Sequence, residues 1–238
     1  MLGRDPLIPP RRLLRYGRAE FAEAGEAWLG HLSDLGGLRP DQRVLELWSG
    51  AGCLARPLVR YLERGSYDGI DPDGRLVGWC RRAYRRHGAA RFLQADVFHP
   101  RLHPGGAYSV AGYRLPYDDA SFDLVVTIDV LAHLLEADAE QTLAEARRVL
   151  APGGRLVASV FVLDAASRAA IASGAATFAF LDADGHVAVV SDDMPEEAVA
   201  YDRSWLEARV PGPLDVLPGT WRGGDGLELL DVMVAARA

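Results

Sequence analysis

The stretch VLELWSGAG, residues 44–52, contributes most to the fold assignment. It has the pattern of an apolar strand that passes through an acidic residue, Glu46, into a glycine turn at the start of a helix. In doubly wound α/β sheets, ligands bind at the carboxyl ends of parallel strands. Glycines at that point let ligand atoms approach the backbone, because no Cβ is in the way. The stretch therefore predicts a ligand-binding turn, although a plain tight turn has the same pattern.

Strand-like and helix-like runs alternate around this turn, which favours a parallel sheet covered on both faces, because each parallel crossover needs a helix to return the chain. A helix over residues 17–35 is predicted to precede the sheet. The predicted strands cover residues 43–47, 67–70, 91–94, 122–128, 155–161, 214–217 and 227–235. We predict an α/β fold, a Rossmann-like αβα sandwich whose seven-stranded, mostly parallel sheet has one antiparallel edge strand.

The predicted organisation is one domain with an insertion. Its segments are a helical lid (1–40), a cofactor-binding core (41–161), an inserted cap (162–194), and a C-terminal helix with the last two strands (195–238). The cap is expected to contain a hairpin of residues 177–181 and 186–190, and a helix over 195–210 is expected to follow. Prolines and paired glycines between residues 96 and 119 predict a long loop, and such loops are usually functional.

Composition and charge exclude several classes of protein. The formal charge of −7 repels phosphate backbones, so we expect no nucleic-acid partner. Cys53 and Cys80 are the only cysteines, and neither belongs to a metal-ligand pattern, so we expect no metal site and no disulfide framework. No apolar run approaches the ~20 residues of a membrane span, and residues 1–15 lack a signal-peptide core. We expect a cytoplasmic protein with no membrane partner.

Two further acidic residues end the next two predicted strands. Asp71 follows Gly52 by 19 residues, where a carboxylate can accept both ribose hydroxyls. Asp71 with Pro72 is also a good helix start. Asp96 can accept from an adenine amino group while Val97 offers its amide to the ring, and a loop cap is the alternative. Acidic residues at three successive strand ends predict a site for a nucleoside-containing cofactor.

With these residues the chain resembles the class I S-adenosylmethionine-dependent methyltransferases, in particular the methyltransferase type 11 branch. LPYDDASFDLV, residues 115–125, is similar to the segment that enters the fourth strand of that family. RRVLAPGGRL, residues 147–156, is similar to the turn before its fifth strand. The resemblance covers about residues 44–161 and implies S-adenosylmethionine as cofactor and a small molecule as methyl acceptor.

The resemblance also implies which residues bind the cofactor. Glu46, Gly50 and Gly52 correspond to the motif that contacts the methionine part. Trp48 stands where the family usually has another glycine, so the cofactor loop is expected to be reshaped or binding weakened. The expected cofactor contacts are Tyr16, Glu46, Trp48, Gly50, Gly52, Asp71, Pro72, Asp96, Val97 and Ile128.

The predicted catalytic residues are His133 and Asp129. Methyl transfer is an in-line displacement, so the protein mainly aligns the reactants and excludes water. A hydroxyl acceptor benefits from a base, and His133, one helical turn beyond Asp129, is the natural candidate. The alternative is that His133 packs within a helix that Asp129 caps.

Two other functions remain open at this point. Residues 50–55 also fit the Gly-x-Gly-x-x-Ala pattern of NAD(P)-dependent oxidoreductases. Trp48 and the lack of a certain base allow a non-catalytic binding module with a methyltransferase-like fold. Methylation of a peptide or protein carboxylate is also compatible with the sequence.

Overall fold

The computed structural model describes residues 5–14 and 17–238, so Tyr16 lies outside the described residues. The α-helices are α1 (Arg18–Asp34), α2 (Ala55–Tyr61), α3 (Gly74–Ala83), α4 (Glu136–Val149), α5 (Ala165–Ser173) and α6 (Arg203–Glu207). The strands are β1 (Arg43–Leu47), β2 (Ser66–Asp71), β3 (Ala90–Gln94), β4 (Phe122–Thr127), β5 (Leu150–Leu163), β6 (Val187–Val189), β7 (Val199–Asp202), β8 (Leu214–Leu217) and β9 (Asp231–Ala236). None of the helices in this part of the chain is long and apolar enough to cross a membrane.

The chain divides into two compact units. The first comprises residues 1–109 and 121–126, and the second comprises residues 110–120 and 127–238. In the first unit the strand order is β3-β2-β1-β4, and the β1–β2 and β2–β3 pairs are parallel. Four of the five residues of β1 are buried, as expected for a strand covered on both faces. The helix α3 buries Val77 and Cys80 and carries arginines on its polar side.

The second unit is built around the long strand β5. Residues 155–160 of β5 pair antiparallel with β9, and residues 161–163 pair in parallel with β7. The strands β8 and β6 pair antiparallel with β9 and β7. The described residues therefore form nine strands where seven were predicted, and antiparallel pairing occurs at more than one place.

The predicted helix over 195–210 is wrong. This segment forms a short 3₁₀ turn, Pro195–Glu197, then β7, and then the five-residue helix α6. Val199, Ala200 and Tyr201 are completely buried. As a strand beside β5, the segment buries side chains on both faces. This burial stabilises it more than helical propensity would, because helical propensity is a weak local preference.

The predicted hairpin of residues 177–181 and 186–190 is formed only in part. The strand β6 pairs with β7, and the first half of the predicted hairpin contributes only an isolated bridge from Leu181 to Val189. Phe178 and Phe180 instead pack around Phe161, with ring centroids 4.9 and 5.2 Å away. These side chains serve the aromatic core of the second unit, so their segment does not need strand pairing.

Two predicted boundaries also change. The turn predicted at residues 151–154 is absorbed into β5, which begins directly after α4. Gly153 adopts a left-handed conformation with φ of 76°, and its N–H donates to the Arg237 carbonyl at 2.8 Å. The last strand begins at Asp231, four residues later than predicted, and Leu227 and Leu229 are exposed.

Candidate active site

The glycine turn after β1 is held in an unusual backbone conformation. Trp48, Gly50 and Gly52 have φ values of 57°, 55° and 76°. This region suits glycine and is strained for a tryptophan. Two hydrogen bonds fix the turn onto β2: the Ser49 N–H donates to the Ile70 carbonyl at 3.0 Å, and the Gly50 N–H donates to Asp71 Oδ2 at 2.8 Å. The turn is therefore preformed.

The two glycines of the turn have different surroundings. A Cβ added to Gly52 would lie 3.3 Å from the Tyr84 hydroxyl and 3.4 Å from Cys80 Sγ, so this glycine packs against α3 and the residue that follows that helix. A Cβ added to Gly50 would meet no atom within 4 Å. Gly50 therefore presents an open backbone face that ligand atoms can approach.

Asp71 is the residue that holds this turn to the end of β2. Its side chain is buried, and its Oδ1 accepts from the Asp73 N–H at 2.8 Å while Oδ2 accepts from Gly50. These two hydrogen bonds place one backbone donor on each carboxylate oxygen. Asp73, which accepts from the Arg75 N–H at 2.9 Å, caps α3. The alternative in which Asp71 is the helix cap is wrong. Pro72 between them is buried.

Glu46 lies buried in β1 beside a tyrosine that the sequence analysis missed. The Tyr67 hydroxyl donates to Glu46 Oε2 at 2.5 Å. Burial raises the pKa of Glu46 to about 8; the Tyr67 hydrogen bond opposes this shift, and the Asp71 charge adds to it. Glu46 pairs with Gly69 across β1 and β2, and a Cβ on Gly69 would lie 2.8 Å from the Tyr67 hydroxyl. A glycine inside a strand often marks such a close approach. Gly69 was therefore the feature of the sequence that could have indicated the Tyr67 contact.

Trp48 is half-buried, and its indole Nε1 is buried without a hydrogen-bond partner among the described residues. An unpaired buried donor is unusual, because burial removes its hydrogen bond to water and the folded protein supplies no other, which costs free energy. The indole that replaces the family's glycine therefore carries an unused donor beside the turn.

Asp96 follows β3 and is held by the loop that comes after it. Its Oδ1 accepts from the Ala107 N–H at 3.1 Å and lies 3.4 Å from His103 Nε2, while its side chain stays 55% exposed. Val97 is buried and forms a parallel bridge with Tyr108. Asp96 thus organises its loop, as the alternative of a loop cap predicted, and it keeps an exposed carboxylate.

The predicted catalytic pair lies in the second unit, together with Ile128. His133 Nε2 is 3.4 Å from Asp129 Oδ1, and both side chains are a little over 40% exposed. His133 Nδ1 lies 3.0 Å from the Glu196 carbonyl oxygen. Because a carbonyl only accepts, Nδ1 carries the hydrogen. Asp129 has a φ of 56°, and its N–H donates to Ser159 Oγ at 2.7 Å.

The alternative in which Asp129 caps a helix that contains His133 is wrong. His133 ends a 3₁₀ turn, Leu131–His133, and α4 begins only at Glu136. Ser159, which positions the Asp129 backbone, was missed because it comes 30 residues later and no local pattern connects the two.

Residues 45–158 match the model of the Methyltransf_11 family, which is described as a methyltransferase domain. Just under half of the chain is thus similar to a methyltransferase family. The predicted family resemblance and the mostly parallel, Rossmann-like α/β fold class are thereby confirmed, with the strand count corrected as above.

Curated proteins are also similar to this chain. The demethylmenaquinone methyltransferase of Thermus thermophilus is 32% identical over 151 residues, which are 63% of this chain and 58% of that protein. The phthiotriol/phenolphthiotriol dimycocerosates methyltransferase of Mycobacterium tuberculosis is 33% identical over 121 residues, which are 51% of this chain and 37% of that protein. The chain therefore spans well under two thirds of these curated relatives.

A solved structure with the same fold is the 1,6-didemethyltoxoflavin-N1-methyltransferase of Burkholderia thailandensis, crystallised with 1,6-didemethyltoxoflavin and S-adenosylhomocysteine. The TM-score is 0.53 at 20% sequence identity, and the match covers 92% of this chain and 79% of that one. At this identity the likeness establishes a common fold.

Proposed function

We propose that this chain transfers the methyl group of S-adenosylmethionine to an oxygen or nitrogen of a small-molecule acceptor. The observation that carries the proposal is the preformed glycine turn, in which Gly50 has an open face and is fixed by the Asp71 carboxylate. The names of the curated relatives, which are methyltransferases, support the methyl-transfer part of the proposal.

The first unit offers groups that fit S-adenosylmethionine. The open face of Gly50 admits the methionine part, and the Asp71 carboxylate, at the end of β2 beside the turn, suits the ribose hydroxyls. The exposed carboxylate of Asp96 suits the adenine amino group. The same proposal includes further cofactor contacts. They come from Glu46, Trp48, Pro72 and Val97, and, elsewhere in the chain, from Tyr16 and Ile128. The cofactor would supply an electrophilic methyl group on sulfonium.

His133 is proposed as the base that takes the acceptor's proton. The Glu196 carbonyl accepts from the Nδ1–H and fixes the ring, so Nε2, on the Asp129 side, would be the nitrogen that takes up the proton. The Asp129 carboxylate beside Nε2 would stabilise the imidazolium that forms. General-base catalysis of this kind typically raises the reaction rate ~10²–10⁴-fold.

Ligand-induced thermal stabilisation tests the cofactor assignment. S-adenosylhomocysteine is expected to raise the melting temperature, whereas NAD⁺ and NADP⁺ are not. Asp71→Asn is expected to weaken S-adenosylhomocysteine binding about tenfold or more, because it removes a charged acceptor. The matched control is Asp34→Asn at the exposed end of α1. Stabilisation by a nicotinamide nucleotide alone would overturn the proposal.

Turnover separates an enzyme from a binding module. Hydroxylated and amine-containing small molecules with labelled S-adenosylmethionine test the proposed transfer. Demethylmenaquinone, named for the Thermus relative, tests transfer to carbon in the same assay. Trp48, with its unpaired indole nitrogen in place of a glycine, is the feature that favours the non-catalytic alternative. Millimolar or weaker cofactor binding with no transfer to any acceptor would support that alternative.

A further inference from the structure

The carboxylate of Asp96 is held from one side only. Its Oδ1 accepts from the Ala107 N–H at 3.1 Å and lies within ion-pairing distance, 3.4 Å, of His103 Nε2. Its Oδ2 makes no hydrogen bond with any residue in the described ranges, and the side chain is 55% exposed. One oxygen is therefore committed to the loop after β3, and the other remains available to a ligand.

The backbone of this loop is fixed closely against the end of β3. The Tyr108 N–H donates to the Asp96 carbonyl at 3.1 Å, and the Phe98 N–H donates to the Tyr108 carbonyl at 2.7 Å. Gly106 lies so close to Val97 that an added Cβ would be 2.3 Å from the Val97 carbonyl carbon. The Ala107 amide is consequently presented to Asp96 at a defined position.

His103 is fixed by the same loop. Its backbone exchanges two hydrogen bonds of 3.0 Å with His99. The His99 ring supports the intervening turn, because its Nδ1 accepts from the Arg101 and Leu102 N–H groups at 3.2 and 3.1 Å. The His103 ring is 24% exposed, and its Nε2 faces an oxygen that only accepts, so the contact is favourable when Nε2 carries a hydrogen.

We propose that His103 is a positioning residue that orients the Asp96 carboxylate so that Oδ2 accepts a hydrogen bond from the exocyclic amino group of adenine. This inference rests on the proposed function. His103 would act through Asp96, by restricting the rotation of the carboxylate. Restricting a receptor group in its bound orientation raises affinity and selectivity, because less freedom is lost on binding.

The test compares S-adenosylhomocysteine with S-inosylhomocysteine, in which a carbonyl replaces the amino group. Isothermal titration gives the ratio of the two dissociation constants. We expect a ratio of about ten or more for the wild type, since the charged acceptor loses its donor in the inosyl compound. In His103→Leu the ratio is expected to fall about fivefold. His103→Gln, whose amide reaches with an N–H donor, is expected to keep most of it.

His103→Asn, which is polar but too short to reach Asp96, provides a second variant in case leucine perturbs the loop. His186→Leu, an exposed histidine of the second unit, is the matched control and is expected to keep the wild-type ratio. A wild-type ratio in both His103→Leu and His103→Asn would overturn the inference while the proposed function stands. A wild type that binds neither compound would overturn both.

Discussion

Glu46 links a single buried side chain to the pH dependence of stability. Burial raises its pKa from 4.5 to about 8 in the folded protein. Between these values the folded state keeps a proton that the unfolded chain has released, so the stability that this group contributes falls as the pH rises. Glu46→Gln is expected to remove this loss. In urea unfolding, the free energy of unfolding of the variant, relative to that of the wild type, is then expected to rise by up to about 1.4 kcal/mol per pH unit.

The control for this measurement is Glu23→Gln, an exposed residue of α1, which is expected to parallel the wild type. The glutamine retains an oxygen that accepts from the Tyr67 hydroxyl, so the comparison isolates the charge. A difference between Glu46→Gln and wild type that stays constant from pH 5 to pH 8 would show that Glu46 does not titrate there.

Gly69 is required by space, because two hydroxyl groups occupy the position of its missing side chain. A Cβ there would lie 2.7 Å from Ser49 Oγ and 2.8 Å from the Tyr67 hydroxyl. Gly69→Ala is expected to cost about 1–3 kcal/mol in the free energy of unfolding and to weaken S-adenosylhomocysteine binding, because Ser49 belongs to the glycine turn.

The matched control for Gly69→Ala is Gly30→Ala, an exposed position in α1 where an added Cβ meets nothing within 4 Å. That change is expected to stabilise the protein by about 0.5–1 kcal/mol, since alanine is the better helix former. Equal effects at the two positions would contradict the role of Gly69.

At the level of elements, β7 positions the turn that carries His133. The Tyr201 hydroxyl in β7 donates to the carbonyls of Leu131, at 3.0 Å, and Leu134. These carbonyls flank the 3₁₀ turn Leu131–His133. The strand that the sequence analysis took for a helix is thus the element that supports the proposed base.

Tyr201→Phe is expected to cost about 1–3 kcal/mol in unfolding free energy, because the Leu134 carbonyl loses its hydroxyl donor and the Leu131 carbonyl keeps only the Leu134 N–H. It is also expected to lower kcat in the methyl-transfer assay severalfold by loosening the His133 turn. Tyr61→Phe, which removes a 2.9 Å hydrogen bond to the Leu38 carbonyl, should lose similar stability with kcat unchanged. Identical kcat values in the two variants would contradict the role of β7 in positioning His133.

At the scale of the second unit, one buried guanidinium connects several elements. Arg222 binds Asp231 through Nε and Nη2 at 2.7 and 2.9 Å, and binds Asp164 through Nη1 at 2.8 Å. Asp231 in β9 is completely buried and also accepts from the Val162 and Gly219 N–H groups. The network ties the end of β5 and the start of α5 to β9.

Arg222→Leu is expected to cost about 3–5 kcal/mol at pH 7, because it leaves buried carboxylates without a cation. Burial alone raises the pKa of Asp164, but the Ser167 amide and Arg222 outweigh it and keep that pKa below its usual value. Because Arg222 helps to lower the Asp164 pKa, the stability that this pair contributes is lost as acid protonates Asp164, so the deficit is expected to shrink at acidic pH in urea unfolding.

Arg39→Leu, which removes an exposed pair with Asp41, is the control for Arg222→Leu and should cost less than about 1 kcal/mol at either pH. A deficit for Arg222→Leu that is the same at both pH values would show that the loss comes from packing and not from charge.

The sequence alone determined the strands of the first unit, the glycine turn and the family. The predicted and observed bounds of β1 agree at both ends, because an apolar run with a glycine stop is a local signal. The acidic residues at the strand ends were found for the same reason. Their roles toward the cofactor, and those of His133 and Asp129 in catalysis, remain predictions.

Only the tertiary structure decided the pairing of β6 with β7, the Tyr67 hydrogen bond to Glu46 and the backbone of Asp129. Each depends on residues far apart in the chain: Tyr67 is 21 residues from Glu46, and Ser159 is 30 residues from Asp129. Burial against a distant strand stabilises a segment more than its local propensity does, and no window of sequence contains that distant strand. The glycine turn was therefore predictable as a site, while the side chains that hold Glu46 and His133 became apparent only in the folded chain.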